Sequence, residues 1–173
     1  MEKELRLARL FVRAFTELQK DGMDRQGLTP VQFAALWFIA RHKNVNLSDL
    51  AGALGVTNAA ATKLVDRLVH RKLIERREGP IDRREKILVP TPRGEETLAA
   101  ATEAGWGRIK AILARMGEEE RAGFCRGLAA FLRLALTEAE LVERVCLKCG
   151  DEHTADCLGE IIYRKLGGGP RQV

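Results

Sequence analysis

Leu47-Ser48-Asp49-Leu50-Ala51-Gly52-Ala53-Leu54-Gly55-Val56-Thr57-Asn58-Ala59-Ala60-Ala61-Thr62-Lys63-Leu64-Val65-Asp66-Arg67-Leu68 is the part of this 173-residue chain that decides its fold. Two short helical patterns meet at a glycine. Leu47, Leu50, Ala51 and Leu54 recur at the spacing of one helix face. Asn46 stands where an N-cap belongs, and Asp49, three positions on, completes a capping box. Gly55 is the residue type that ends a helix in the left-handed region. A second helix, about 58–72, turns Ala61, Leu64, Val65 and Leu68 inward. The link Leu54-Gly55-Val56-Thr57 makes the pair a helix-turn-helix.

The flanking sequence extends the pattern in both directions. Upstream, residues 2–20 place Leu7, Phe11, Ala14, Phe15 and Leu18 on one face, and Asp21-Gly22 is expected to end that helix. Thr29-Pro30 then starts a helix to about Arg41, with Thr29 as N-cap and Pro30 where a missing N–H costs nothing. Downstream, Leu73–Glu78 and Lys86–Val89 read as two strands around the turn signal Gly79-Pro80. Thr91-Pro92 opens a helix over about 92–115, Gly117 breaks it, and a last helix spans about 118–145. That helix carries Phe124, Leu128, Phe131 and Ala135 on one stripe.

The fold class is therefore mainly α with a small β-hairpin wing: a winged helix-turn-helix between N- and C-terminal dimerisation helices. The expected organisation is 1–27 N-terminal dimerisation helix, 28–94 winged helix-turn-helix, 95–145 C-terminal dimerisation helices, 146–166 Cys/His-rich extension and 167–173 disordered tail. The small centre is too narrow to bury the outer helices, so a two-fold homodimer is expected to cover them. The alternative is a monomer with those helices folded onto each other.

Charge is distributed unevenly. The formal net charge is +5, and residues 56–94 alone hold ten basic and five acidic groups, so this segment carries the whole excess. A basic block on a neutral body suits a phosphate-facing surface, although charge runs are more often simply solvated. Within the block, Thr57, Asn58, Ala59, Ala60 and Thr62 give the second helix a short, polar first turn that fits a major groove. Asn58 has the chemistry to pair with adenine, and Thr62 or an alanine to touch a thymine methyl. Lys63 and Arg67, four apart, reach for guanine or phosphate. In the hairpin, Arg83 and Arg84 sit near the tip, where an arginine enters an A·T-rich minor groove. Asp82 is placed to hold Arg84 by a charge-assisted hydrogen bond.

Taken together, Leu47–Ala51, Thr62–Leu68, Leu73–Arg76, Asp82-Arg83-Arg84 and Thr91-Pro92-Arg93-Gly94 resemble the multiple-antibiotic-resistance repressor (MarR) family over roughly residues 5–143. The resemblance implies a triangular homodimer on double-stranded DNA with a pseudo-palindromic operator. It also implies a small-molecule effector bound in a crevice between the dimer helices and the DNA lobe. Arg84 then matches the wing arginine, Asp82 its acidic partner, and Asn58 to Arg67 the reading helix. Two departures stand out. Lys72 occupies a position where the family usually has glycine, so the helix end is expected to differ. Pro90 replaces an apolar strand residue and is expected to shorten the second wing strand by removing a ladder donor.

A third departure is Cys146, Cys149, His153 and Cys157, four metal-ligand residue types within twelve positions. Zinc favours four such thiolate and imidazole ligands, and an iron–sulfur cluster is the alternative cofactor. On a continuous helix Cys146 and Cys157 would stand about 16 Å apart at 1.5 Å per residue, too far for one ion. A site thus requires a break, for which Gly150-Asp151 is suited. The other readings are thiols packed at the dimer interface and a metal- or redox-sensing switch. Cys125 lies far upstream.

Other classes fit less well. The three histidines are scattered, and no paired carboxylates in an apolar setting, Ser-His-Asp set or phosphate loop appears, so no enzyme is expected. No apolar run approaches membrane-spanning length, and the charged N-terminus lacks a signal-peptide core. A cytoplasmic regulator, effector-responsive and most simply a repressor, is the expected function. A winged-helix protein-interaction module is the rival from another class.

Overall fold

The computed structural model describes residues 1–80, 84–149 and 156–168, without the side chains of Leu147 and Lys148. In chain order the elements are α1 (Glu2–Arg25), α2 (Pro30–Arg41), α3 (Leu47–Leu54), α4 (Asn58–His70), β1 (Ile74–Glu78), β2 (Lys86–Pro90), α5 (Pro92–Arg115), α6 (Glu118–Ala135), α7 (Ala139–Cys149) and α8 (Leu158–Lys165). The mainly helical winged helix-turn-helix expected from the sequence is what the chain forms. Its core gathers Leu36 and Ile39 of α2, Leu50 of α3, Val65 and Leu68 of α4, Ile74 of β1 and Leu88 of β2.

Local signals explain most boundaries. Thr29 and Gln32 form a reciprocal capping box on α2, and Asn46 and Asp49 another on α3. Each satisfies two backbone donors that a helix start leaves open. Gly55 takes φ 67, and the N–H of Val56 donates to the Ala51 carbonyl, closing α3 with a left-handed turn. Thr91 caps α5 by accepting from the Gly94 N–H at 3.0 Å while its hydroxyl donates to the Lys72 carbonyl at 2.6 Å.

Four expectations are corrected. First, α1 does not end at Asp21-Gly22 but continues to Arg25. Gly22 is a contact residue: a Cβ there would lie 2.2 Å from the Ala101 carbonyl oxygen and 2.8 Å from the Gly105 nitrogen. Its missing side chain lets α1 press its backbone against α5. The true stop is Gly27 at φ 61, where the N–H of Leu28 donates to Met23.

Second, Lys72 leaves the helix end unchanged in kind. It adopts φ 58 itself, the N–H of Leu73 donates to Leu68, and that of Lys72 to Val69. A glycine would make the same turn without the left-handed penalty of about 1–2 kcal/mol, at some cost in unfolded-chain entropy. Lys72→Gly is therefore expected to raise stability by about 0.5–1 kcal/mol, seen as a melting temperature higher by roughly 1–4 °C. A fall on calorimetry would contradict this account of the turn.

Third, Pro90 does not shorten β2, which runs through it and pairs Ile74 with Pro90. N–H groups alternate sides along a strand. The Leu88 N–H points away from β1 and donates to Val45 at 2.7 Å, while that of Thr91 points towards β1 and donates to Leu73. Pro90 shares the side of Leu88, so its missing donor costs the β1–β2 ladder nothing.

Fourth, the expected 118–145 helix is two. α6 stops at Ala135, and α7 runs from Ala139 to Cys149. Leu136 in the joint is buried with Val142, Cys146, Ile162 and Tyr163 in a second small core formed by α7 and α8.

Candidate nucleic-acid interface

On α4 the first turn is open to solvent: Thr57, Asn58, Ala59, Ala60, Lys63 and Arg67 are exposed, and Thr62 is half-buried. The opposite face, Ala61, Leu64, Val65 and Leu68, is buried. One stripe anchors the helix and the other presents the residues singled out from the sequence. Two of these also have local duties. The Thr57 hydroxyl accepts from the Ala60 N–H at 3.2 Å as N-cap, and the Thr62 hydroxyl donates to the Asn58 carbonyl at 2.8 Å.

The wing is tied to the helix-turn-helix by three separate links, one to α4 and two just before α3. Arg76 on β1 donates to Asp66 on α4 at 2.6 Å. Asn46, at the start of α3, donates through its amide to Glu85 at 2.9 Å. β2 joins the backbone at Val45. The Gly79 N–H donates to the Glu85 carbonyl at 2.9 Å and closes the base of the wing tip. Arg84 is exposed at that tip. Asp82 and Arg83 lie outside the described residues, and with them the expected Asp82–Arg84 pair.

The ten basic groups divide into different tasks. Arg71 points inward and donates to the carbonyls of Gly27 at 2.8 Å and Gln26 at 3.0 Å, bonding the end of α1 to the end of α4. Arg76 positions the wing. Arg77 and Lys86 face the neighbouring carboxylates Glu75 and Glu78 in exposed pairs, which are worth at most about 1 kcal/mol. Lys63, Arg67, Lys72 and Arg93 make no side-chain hydrogen bond or ion pair among the described residues. Sequence reasoning counted Arg71 and Arg76 as phosphate-facing charge and missed both structural roles. Asp66, ten positions before Arg76, was the available signal for one of them.

Beneath this surface a cavity of about 430 Å³ opens between α1, α2 and α5. Met23, Phe33, Trp37, Phe38 and Trp106 supply much of its wall, and Cys149 of α7 closes one side. No charged side chain lines it among the described residues. Of these residues the sequence reading named only Cys149, and that as a metal ligand, because they are scattered over four helices.

The Cys/His expectation is divided by the structure. α7 and α8 are separate helices, with the Cys146 and Cys157 sulfurs both beside Gly159, and the break expected at Gly150-Asp151 lies outside the described residues. Cys149 instead borders the cavity, and His153 lies outside the described residues. Among the described residues no three His, Cys, Asp or Glu side chains gather as metal ligands. No helix among them is long and apolar enough to cross a membrane.

The sequence model described as "MarR family" matches residues 28–86. A putative transcriptional regulatory protein for the hcr operon of Thauera aromatica is 31% identical over 110 residues, 64% of this chain and 66% of that one. The HTH-type transcriptional repressor MdtR of Bacillus subtilis is 35% identical over 116 residues, 65% of this chain and 69% of that one. The chain thus spans about two thirds of the length of each relative. Among solved structures, RV1404 from Mycobacterium tuberculosis superposes with a TM-score of 0.70 at 31% identity, over 76% of this chain and 91% of that one.

Proposed function

The chain belongs to the MarR family, and from that premise we propose that it is a cytoplasmic, homodimeric repressor of transcription, released from its operator by a small molecule. The observation that carries the DNA-binding reading is the exposed pair Lys63 and Arg67. They stand on a buried-backed helix beside a wing tied once to that helix and twice to the chain just before α3. Rigid elements place charge and base-reading groups where two grooves of a duplex would meet them.

The dimer reading is supported by α1 and α6. No residue of α6 is buried, and Phe131 and Leu134 are 66% and 81% exposed. Leu7 and Leu10 of α1 are equally open, and Phe11 packs edge-on to Phe124, joining the two helices into one apolar surface. A patch of that kind marks an interface, and sedimentation at twice the chain mass tests it. The effector reading is supported by the cavity, whose uncharged aromatic wall suits an apolar, largely planar ligand.

Titrating the chain with duplex DNA across a salt series tests the central claim. If Lys63, Arg67 and Arg84 of two protomers engage phosphates, log K against log salt should slope at about −5. A flat line would favour the protein-interaction module instead.

A further inference from the structure

Gly159, in the first turn of α8, reports on two sulfurs at once. A Cβ built there would lie 3.0 Å from Cys146 Sγ and 3.7 Å from Cys157 Sγ, so the sulfurs are at most 6.7 Å apart. A side chain at 159 would press on the Cys146 sulfur and meet that of Cys157 at ordinary van der Waals distance. Cys146 belongs to the last turns of α7 and is 8% exposed within the α7–α8 core. Cys157 is the N-cap residue of α8, half-exposed, and its side chain makes no cap hydrogen bond. Both are thiols. A half-exposed thiol thus stands within 6.7 Å of a sheltered one.

We propose that Cys146 and Cys157 are an oxidisable pair that reports hydroperoxides to the DNA-binding lobe. The accessible Cys157 sulfur attacks the peroxide O–O bond, becoming a sulfenic acid and releasing water, or an alcohol from an organic hydroperoxide. The Cys146 sulfur then attacks the sulfenic sulfur, the S–O bond breaks and a second water leaves. The two sulfurs lose two electrons and two protons, and the peroxide is reduced by the same two electrons. The bond closes the segment 147–156 into a loop and pulls on the end of α7. α7 packs on α2 and α3, and its Cys149 walls the cavity, so the strain reaches both the cavity and the helix-turn-helix. This regulatory half rests on the DNA-binding reading above, whereas the pairing of sulfurs does not.

The test uses the full chain, purified reduced, with elemental analysis before treatment with hydrogen peroxide or cumene hydroperoxide. Trypsin separates Cys146 from Cys149 and Cys157 at Lys148, and Cys149→Ser removes the remaining ambiguity. The expected result is loss of two alkylatable thiols and a crosslink of 145–148 to 149–164, in the wild type and in Cys149→Ser. The crosslink should be missing in Cys157→Ser, a half-exposed change that leaves the core intact, and in Cys146→Ala. Operator affinity should shift by about tenfold on oxidation, within the usual range of coupling between sites. Reduced protein in the same assay reports on DNA binding itself, so its failure there is distinguishable. A crosslink through Cys149 or Cys125, no crosslink, or about one zinc per chain shielding the thiols would overturn the pairing. A crosslink with unchanged affinity for DNA would overturn the signalling role.

Discussion

Replacing Lys63 and Arg67 together by alanine is expected to lower operator affinity about a thousandfold at physiological salt. Each protomer presents both groups on the exposed face of α4, and neither has a side-chain partner among the described residues. The proposed dimer therefore loses four contacts, and at about 1 kcal/mol each the total is about 4 kcal/mol. The salt slope should flatten by about 3–4 in the same variant. Stability should hardly change, because both side chains are solvated. Arg71→Ala is the informative contrast. Its guanidinium is bonded to the carbonyls of Gln26 and Gly27, so it should lose melting temperature while keeping the slope. Arg84→Ala should weaken binding less, and mostly on operators with A·T-rich flanks. Equal slopes for the wild type and the double variant, measured by fluorescence anisotropy, would remove α4 from the interface.

Gly22→Ala should destabilise the fold by about 2 kcal/mol or more. Two effects oppose each other. Alanine in a helix interior gains about 0.5–1 kcal/mol over glycine. The new methyl, however, would sit 2.2 Å from a backbone oxygen of α5, which no rotamer change relieves. α1 must back away, and overpacking of this kind costs about 1–3 kcal/mol before the lost α1–α5 contacts are counted. Gly52→Ala provides the control. It lies in α3 with nothing within 4 Å of the new methyl, so only the helix gain remains and stability should rise. Opposite signs in a denaturant titration would support the close-contact account, and two gains would refute it.

The same glycine shows why some boundaries were legible and others were not. A sequence reader sees that glycine favours helix ends, and this is correct at Gly55 and Gly117. At Gly22 the controlling fact is a neighbour some eighty residues away, which no local signal encodes. The nearby Gly27 carried the right signal, being followed by an apolar Leu28. Likewise α6 and α7 read as one helix because Leu136 continues the apolar stripe. Its burial in the α7–α8 core is a tertiary fact, although Thr137 is a residue type that favours a helix start. The capping residues Thr29, Asn46 and Thr91 were legible because each acts within three positions of itself, whereas the same role at Thr57 was passed over for a DNA-facing one. The reading helix could be found because its two faces differ in sequence. The cavity could not, since its walls meet only after folding.

Arg71 also settles how movement travels through the molecule. Its guanidinium clasps the carboxyl end of α1 while its backbone terminates α4, so the two long rods are riveted at one point. With 24 residues α1 is a lever of about 36 Å. A tilt of only 5° about that rivet sweeps its far end through about 3 Å, and the reverse holds. In the proposed dimer, small scissoring motions where the two copies meet would therefore reset the spacing of the paired reading heads, with no need for either head to deform.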